Sequence, residues 1–334
     1  MLTIVNEPDP MTLPPPQQRI EGAYVLPIRR ENTGHEDELA AYLTALPIAE
    51  IIVVDGSSAG PFDRLRNALR SSIQHVRPNP HVRGLNGKAR GVLSGLQCTT
   101  QERVVIADDD VRYDESALRA IVRLLDDAEV VRPQNYFDPA PWHAILDGAR
   151  CLINRALDGD WPGTLAIRKS ALRDGYNADV LFENLELVRT IRAAGGRELV
   201  ARDVFIRRLP PTSPHYWSQR VRQAYDEFAR PARLAAALSI LPMIFASMLS
   251  KKPAIAGALV VAAIVTAFAG WLRDGARHHF SIWCVAAAPV WMLERGICAW
   301  IALYRRVVCG GVHYAGNIVR NAATPARALT GRTL

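Results

Sequence analysis

Short apolar runs alternate with stretches of helical periodicity through the first two thirds of the chain. The apolar runs at residues 23–28, 50–54 and 103–107 predict buried strands. Apolar residues at helical spacing predict helices over residues 36–46, 88–97, 117–125 and 184–194. Strands that alternate with helices through short turns are typical of an α/β fold, so we expect a mainly parallel central sheet.

The last third has a different pattern, with three apolar segments at residues 234–249, 253–272 and 280–304. At 1.5 Å per residue, the twenty uncharged residues 253–272 extend about 30 Å, which is the thickness of the hydrocarbon core of a bilayer. This segment is predicted to span a membrane. In the third segment the adjacent charges Glu294 and Arg295 predict either an interfacial turn or contact with a lipid headgroup.

The topology follows from the positions of the positive charges. Three full spans would place Lys251, Lys252 and the arginines of the C-terminal tail on the face opposite the α/β domain, which the positive-inside rule disfavours. We therefore expect the segment 234–249, which Pro242 interrupts, to lie in the interface or to re-enter. The other two segments would then form a hairpin that returns the tail to the cytoplasm.

Composition narrows the class of protein. The chain has 334 residues, of which 49% are hydrophobic, so it is not a disordered protein. The net charge of +7 comes largely from arginines concentrated near the apolar third, which favours a cytoplasmic membrane face over nucleic acid as the partner. The five cysteines form no Cys-x-x-Cys pair, and we expect reduced thiols.

These patterns divide the chain into four regions. Residues 1–21 are rich in proline and predict a flexible leader, and residues 22–230 predict an α/β domain. Residues 231–308 predict membrane or interfacial helices, and residues 309–334 predict a basic cytoplasmic tail. The expected localisation is therefore a bacterial-type inner or plasma membrane, with the catalytic domain in the cytoplasm.

Three consecutive aspartates follow the predicted strand 103–107. Alternate residues of an extended segment point the same way, so Asp108 and Asp110 are expected to face one pocket while Asp109 points elsewhere. Ligands of open α/β sheets bind beyond the carboxyl ends of the strands, and paired carboxylates there suit Mg²⁺ or Mn²⁺. The alternative is a solvated turn in which Asp114 caps the next helix.

Other candidate residues lie at the ends of predicted elements. Asp55 ends the strand 50–54 and would contact a base or ribose, or cap a helix. Lys88 lies between two glycines and would neutralise phosphate, or be an ordinary surface cation. Glu183 lies at a predicted helix start and would accept a proton from a hydroxyl, or only balance the helix dipole. In the aromatic and basic cluster 217–223, an arginine is expected to stabilise a leaving diphosphate, or the arginines reach lipid headgroups, which would account for Arg220 entirely.

Taken together, these residues resemble the membrane-bound family 2 glycosyltransferases, with the greatest similarity to the ceramide glucosyltransferase-like branch. The resemblance extends over about residues 22–230. Its motifs are Asp55, Asn86-Gly87-Lys88, Asp108-Asp109-Asp110, Gly163-Thr164, Phe182-Glu183-Asn184-Leu185-Glu186-Leu187 and Gln219-Arg220-Val221-Arg222.

The resemblance implies a GT-A fold, a nucleotide-sugar donor with Mg²⁺ or Mn²⁺, and C-terminal membrane helices. Asp55 would bind the nucleoside, while Asp108 and Asp110 would hold the metal and the nucleotide. Gln219 and Arg222 match the Gln-x-x-Arg-Trp motif of the family. We expect a UDP-sugar donor, a lipid or lipid-linked acceptor and inversion at the anomeric carbon.

Two positions depart from the pattern of the family. Asn184 stands where the family usually has its aspartate base, and Gln223 replaces the tryptophan. Because an amide nitrogen does not accept a proton at neutral pH, the base would be Glu183, Glu186 or no residue at all. Two alternatives to the main hypothesis follow. One is a sugar transferase that acts on polyprenyl phosphate, and the other is an inactive nucleotide-binding partner of another membrane enzyme.

Overall fold

The computed structural model describes residues 19–31, 34, 36–314 and 316–330. The part of the leader before residue 19 and the last four residues of the tail, Arg332 among them, lie outside the described residues. The strands in the described part are β1 (Ile20–Ile28), β2 (Ile48–Asp55), β3 (Gln74–Val76), β4 (Arg103–Ala107), β5 (Val111–Arg112), β6 (Val130–Phe137), β7 (Thr164–Arg168), β8 (Glu198–Arg208), β9 (Val312–Tyr314) and β10 (Asn317–Val319).

The helices separate most of these strands along the chain. They are α1 (Glu36–Ala45), α2 (Ala59–Ala68), α3 (Gly87–Cys98), α4 (Glu115–Arg123), α5 (Trp142–Leu157), α6 (Glu183–Ala193), α7 (Ser213–Tyr225), α8 (Pro231–Leu249), α9 (Pro253–Leu272), α10 (Ile282–Ala286), α11 (Ala288–Val307) and α12 (Ala326–Thr330). The predicted strands and helices of the first two thirds are present, with ends that differ by a few residues. Strand β7 corresponds to the short apolar strand that the sequence predicts after the turn at residues 160–163. Strands β3, β5, β6, β8, β9 and β10 were not predicted.

Eight strands of the described chain form one mixed sheet in the order β3-β2-β1-β4-β7-β6-β8-β5. The four strands from β3 to β4 are parallel, and β6 pairs with β8 in parallel. Strand β7 runs antiparallel to both β4 and β6. The predicted α/β fold with a mainly parallel sheet and apolar C-terminal helices is confirmed.

Alternation along the central strands places apolar side chains on both faces of the sheet. In β1, Tyr24 and Leu26 pack with Leu39 of α1 and Leu118 of α4. Val25 points to the opposite face, where it belongs to the cluster that α3 and α6 cover. Burial on both faces explains why β1, β2 and β4 are almost continuously apolar in sequence.

Two helices of the described chain, α8 and α9, are long and apolar enough to cross a membrane by length and composition. Most of their side chains are exposed, including Phe245 at 62% and Val265 at 60%. This pair differs from the predicted hairpin of 253–272 with 280–304. Helix α11 packs against α5, α7, α8 and α9. Glu294 forms an ion pair with Arg220 at 2.6 Å, so its partner is neither a headgroup nor solvent.

The chain after α11 folds back onto the catalytic domain. Val312 and Val319, from the β9–β10 hairpin, are buried in one cluster with Leu181 and Tyr225. The backbone N–H of Thr324 donates to Glu186 Oε2 at 2.6 Å. The sequence predicts a basic cytoplasmic tail over residues 309–334. Among the described residues of this segment, Val312, His313 and Tyr314 form one wall of the cleft described below.

Candidate active site

The three aspartates directly follow β4, at the carboxyl end of this central strand. Asp108 Oδ2 lies 3.6 Å from Arg208 Nη2, and Asp110 Oδ2 accepts from Arg208 Nε at 2.8 Å. Asp109 points away and lies 3.5 Å from Arg30. Asp108 and Asp110 therefore converge on one guanidinium, as the alternation of an extended chain requires. Asp114 caps α4, with its side chain accepting from the N–H of Ala117. The predicted helix cap is therefore present next to the aspartate cluster.

A lysine connects the aspartates to the start of α6. Lys88 Nζ lies 2.6 Å from Asp108 Oδ1 and 2.8 Å from Glu183 Oε1. Burial alone would lower the pKa of Lys88, but the negative charges of Asp108 and Glu183 raise it. Lys88 is therefore a permanent cation that holds the two carboxylates in place, and it is not an ordinary surface lysine.

Asn86 fixes the position of this lysine. Its side-chain oxygen accepts from the backbone N–H of Lys88 at 3.0 Å and of Ala89 at 3.2 Å, which is a helix N-cap. Its amide nitrogen donates to the carbonyl of Val180 at 2.9 Å. One buried side chain thus joins the start of α3 to the segment that leads into α6.

The turn before β7 closes against Asp108. The carbonyl of Gly163 accepts from the N–H of Asp108 at 2.8 Å. A Cβ at Gly163 would lie 2.6 Å from Asp108 Oδ2, so a larger residue does not fit without displacing that carboxylate. Asn184 Nδ2 donates to the carbonyl of Pro162 at 2.9 Å, which holds the same turn. Asn184 therefore has a positioning contact where the family usually has its base.

Asp55 occupies a second subsite at the end of β2. Its carboxylate accepts from the N–H of Ser57 at 2.8 Å and lies 3.0 Å from His75 Nε2. Although burial favours the neutral acid, these hydrogen bonds lower the pKa of Asp55. Phe62 stacks on His75 at 4.1 Å, and the Arg77 guanidinium lies 3.6 Å from the centre of the Phe62 ring. An ionised carboxylate beside stacked rings can recognise a nucleoside.

The aspartates fit a divalent cation only in part. No group of three or more His, Cys, Asp or Glu side chains among the described residues forms a cage that could hold a metal. Asp110 Oδ1 is nevertheless buried without a hydrogen-bond partner. Burial, together with the charges of Asp108 and Asp109, raises the pKa of Asp110 to about 6 against the opposing charge of Arg208. Mg²⁺ typically takes one or two carboxylates plus phosphate oxygens, so the pair suits an ion that is shared with a diphosphate.

Helix α7 borders an open cleft of about 690 Å³ near this cluster. Gln219 and Arg222 both line it, and Arg222 Nε donates to Gln219 Oε1 at 2.6 Å. The Arg222 guanidinium lies 5.0 Å from the centre of the Tyr314 ring. Burial and the charge of Glu183 raise the pKa of Tyr314, so this ring is near enough to the start of α6 to interact with that carboxylate.

The neighbouring arginine of α7 points the other way. Arg220 is 1% exposed and pairs with Asp147 at 3.1 Å and with Glu294 at 2.6 Å. It also donates to Gln223 Oε1 at 2.8 Å, so the residue that replaces the tryptophan of the family belongs to the same network. The expectation that Arg220 reaches lipid headgroups is wrong, because its guanidinium is buried and ion-paired with Asp147 and Glu294.

Sequence reasoning missed four residues of the site: Arg208, His75, Tyr314 and Asp226. Arg208 and His75 lie in strands that were not predicted, and Tyr314 lies in a segment that was assigned to a tail. Asp226 follows Arg222 by one helical turn, and this spacing was a usable signal. Burial and the nearby charge of Glu183 raise the pKa of Asp226 to about 7, although Arg222 opposes the shift. Asp226 Oδ1 has no hydrogen-bond partner.

Comparison with protein families agrees with this geometry. Residues 36–145 match the model of glycosyl transferase family 2. The matched region contains Asp55, Lys88, Asp108 and Asp110. The chain is therefore a glycosyltransferase, and the match supports the family 2 type that the sequence indicated. A search of curated proteins finds no match.

Several solved glycosyltransferases resemble the chain. A mannosyltransferase from Pyrobaculum calidifontis, in complex with GDP-Man and Mn²⁺, is 19% identical, with a TM-score of 0.49 over 87% of this chain and 90% of that one. Glucosyl-3-phosphoglycerate synthase from Mycobacterium tuberculosis is 18% identical, with a TM-score of 0.42 over 58% of this chain and 73% of that one. Mannosyl-3-phosphoglycerate synthase from Rubrobacter xylanophilus is 12% identical, with a TM-score of 0.42 over 60% and 70%.

Proposed function

We propose that this glycosyltransferase is metal-dependent and moves a sugar from a nucleotide-sugar to a lipid or lipid-linked acceptor at the cytoplasmic face of a membrane. The donor to test first is a UDP-sugar. The main support is that Lys88 contacts both Asp108 and Glu183 beside the cleft that Arg222 lines. Charged residues from the end of β4, from α3, from α6 and from α7 thus lie close to the same cleft.

The residues divide between donor binding and charge stabilisation. Asp55 would bind the nucleoside, and Asp108 and Asp110 would hold Mg²⁺ or Mn²⁺, which supplies positive charge to the diphosphate. Arg222, oriented by Gln219, would stabilise charge on the departing diphosphate. A single in-line displacement inverts the anomeric carbon.

The base depends on the acceptor. For a hydroxyl acceptor, Glu183 is the candidate, because it lies at the start of α6 and Lys88 connects it to Asp108. Glu186 is a poorer candidate. It is fully buried, and its Oε2 accepts from the N–H of Thr324. Substitution Glu183→Gln should then abolish transfer while donor binding remains.

Membrane attachment rests on the C-terminal helices. Helices α8 and α9 are apolar and mostly exposed, and α11 adds the exposed side chains of Trp300 and Ile301. An exposed apolar surface of this extent next to a catalytic domain suits attachment to a bilayer. It also favours an acceptor that arrives from the bilayer. We place the protein in a bacterial-type inner or plasma membrane, with its catalytic domain in the cytoplasm.

The decisive experiment uses the full-length protein in detergent with a panel of nucleotide-sugars and Mn²⁺. A bound donor at a hundred times its Kd should raise the stability of the native state by about 2.7 kcal/mol. Membranes containing the protein should release nucleoside diphosphate, and EDTA should stop the release. Asp108→Asn should remove both signals, while Asp174→Asn, an exposed aspartate outside the cluster, serves as the matched control. An inactive nucleotide-binding partner would give stabilisation without release.

A further inference from the structure

The cleft beside α7 is lined by three arginines from distant parts of the chain. Arg29 follows β1, Arg222 lies on α7, and Arg305 lies in the last turn of α11. His215 and His313 line the same cleft. Three guanidinium groups from three elements therefore surround one open volume.

These arginines form no ion pair in the part of the chain that the structure describes. The side chains of Arg29 and Arg305 also have no hydrogen-bond partner there, and Arg222 donates to the neutral Gln219, although its charge is near enough to oppose the rise in the pKa of Asp226. Glu31 is the single acidic residue of the described lining. Arginines elsewhere, such as Arg132 and Arg150, are paired with carboxylates. A surplus of unpaired guanidinium groups suits a phosphate, which accepts their bidentate hydrogen bonds.

The arginine cleft lies between the reaction centre and the apolar helices. Arg222 stacks over Tyr314, and the pKa of Tyr314 responds to Glu183. On the other side, Arg305 is flanked by Tyr304, 58% exposed, and Val308, 63% exposed. A ligand with an anionic head and an apolar tail could place the head among the arginines and the tail along α11.

We propose that this cleft binds the phosphate group of the acceptor, and that the acceptor is a phosphate monoester on an apolar chain. This inference rests on the proposed function and names its acceptor class. An oxygen of the phosphate attacks the anomeric carbon and forms the new C–O bond. The bond from that carbon to the diphosphate breaks, and its electron pair leaves with the nucleoside diphosphate. The product is a glycosyl phosphodiester.

A phosphate acceptor also accounts for Asn184. A phosphate oxygen is already ionised at neutral pH, so this step needs no proton acceptor. The carboxylate usually found at position 184 is then dispensable, and Asn184 is free to hold the turn at Pro162. Glu183 can remain ion-paired to Lys88 throughout the reaction.

The test measures binding, so that it does not depend on knowing the sugar. Full-length protein in detergent micelles is titrated with farnesyl phosphate, farnesol and inorganic phosphate. UDP or GDP with Mn²⁺, whichever stabilises the wild-type chain, reports on the donor site. The variants are Arg29→Gln and Arg305→Gln, with Arg173→Gln as the charge-matched control at an exposed position outside the cleft.

We expect farnesyl phosphate to bind, farnesol to bind at least tenfold more weakly, and each cleft variant to weaken farnesyl phosphate by roughly tenfold. Binding of the nucleoside diphosphate should change less than twofold, which also shows that the variants are folded. Inorganic phosphate that binds as tightly as farnesyl phosphate would support the phosphate site but overturn the apolar chain.

Two results would overturn the phosphate site itself. One is equal binding of farnesol and farnesyl phosphate. The other is a loss of nucleoside diphosphate binding in the cleft variants that matches the loss of farnesyl phosphate, since the arginines would then serve the donor. If no nucleoside diphosphate binds at all while farnesyl phosphate does, the donor half of the proposed function fails and the acceptor site stands.

Discussion

Helix α7 carries two arginines, two residues apart, on opposite faces. One is buried in ion pairs and the other lines the cleft. Arg220 is buried and contacts Asp147, Glu294 and Gln223. Arg222 faces the cleft, and its hydrogen-bond partner is the neutral side chain of Gln219. A buried guanidinium whose two Nη atoms are paired with carboxylates stabilises the protein and is not accessible to a ligand. An arginine without a carboxylate keeps its charge available for a phosphate.

The spacing of residues along α7 separates those that face the cleft from those that face the interior of the protein. Gln219 and Arg222 are three residues apart and share the cleft face. Arg220 and Gln223 are also three apart, and they share the inner face. The inner face connects α7 to α5 through Asp147 and to α11 through Glu294, so the apolar helices help to set the position of Arg222.

The largest expected effect is that of Arg220→Met on stability. The substitution removes a buried cation from Glu294 and from the buried carboxylate of Asp147, and breaking a buried ion pair in this way costs roughly 3–5 kcal/mol. We expect the midpoint of thermal unfolding in detergent to fall by roughly 10 °C. The double variant Arg220→Met/Glu294→Gln is the control, because it removes the stranded charge and should recover part of the loss. If the unfolding midpoint of Arg220→Met equals that of wild type, the inner face of α7 does not have the structural role assigned to it.

Arg222→Gln should instead affect catalysis. Loss of one preorganised group that stabilises charge in the transition state typically lowers kcat by 10²–10³-fold. The unfolding midpoint should fall much less than in Arg220→Met, because the hydrogen-bond partner that Arg222 loses is the neutral side chain of Gln219. Arg222→Lys should restore part of the rate, since a lysine keeps the charge but not the planar fork. Nucleoside diphosphate release in membranes measures the rate, and a variant with full activity would contradict the assigned role.

Local sequence patterns predicted the parts of the site that a single element determines. The opposite directions of Asp108 and Asp109 follow from the geometry of an extended strand, and the position of Glu183 follows from the helix start. Contacts between distant segments were not predictable in this way. Arg208 meets Asp110 only because β8 lies between β6 and β5 in the sheet.

The C-terminal part was predicted least well, for the same reason. Hydropathy identified apolar segments but not their packing, so the ion pair of Glu294 with Arg220 was missed. Tyr314 reaches the cleft because the chain turns back after α11, and nothing in its local sequence indicates that return.

A third prediction concerns Asp226, which caps the C-terminus of α7, one helical turn after Arg222. Its pKa is about 7 in the folded protein and near the ordinary 3.8 in the unfolded chain. The folded state therefore holds the proton more tightly, and stability falls as the pH rises from about 4 to about 7. Asp226→Asn removes this loss, so its advantage over wild type should grow by roughly 2–3 kcal/mol between pH 5 and pH 8. Unfolding midpoints at the two pH values measure it, and an advantage that does not depend on pH would contradict the assignment.

The smallest expected effect is that of Asn184→Asp, which restores the residue that the family usually has. The carboxylate cannot donate to the carbonyl of Pro162, and at 2.9 Å it would face that oxygen as a second acceptor. We expect a loss of about 1–2 kcal/mol in stability from the broken contact. We expect no gain in transfer rate, because a phosphate acceptor requires no base. Asn184→Ala is the matched control, since it removes the same hydrogen bond without adding a charge. An Asn184→Asp enzyme that transfers faster than wild type to a hydroxyl acceptor would show that position 184 still faces the acceptor, and the phosphate hypothesis would then lose its support from this residue.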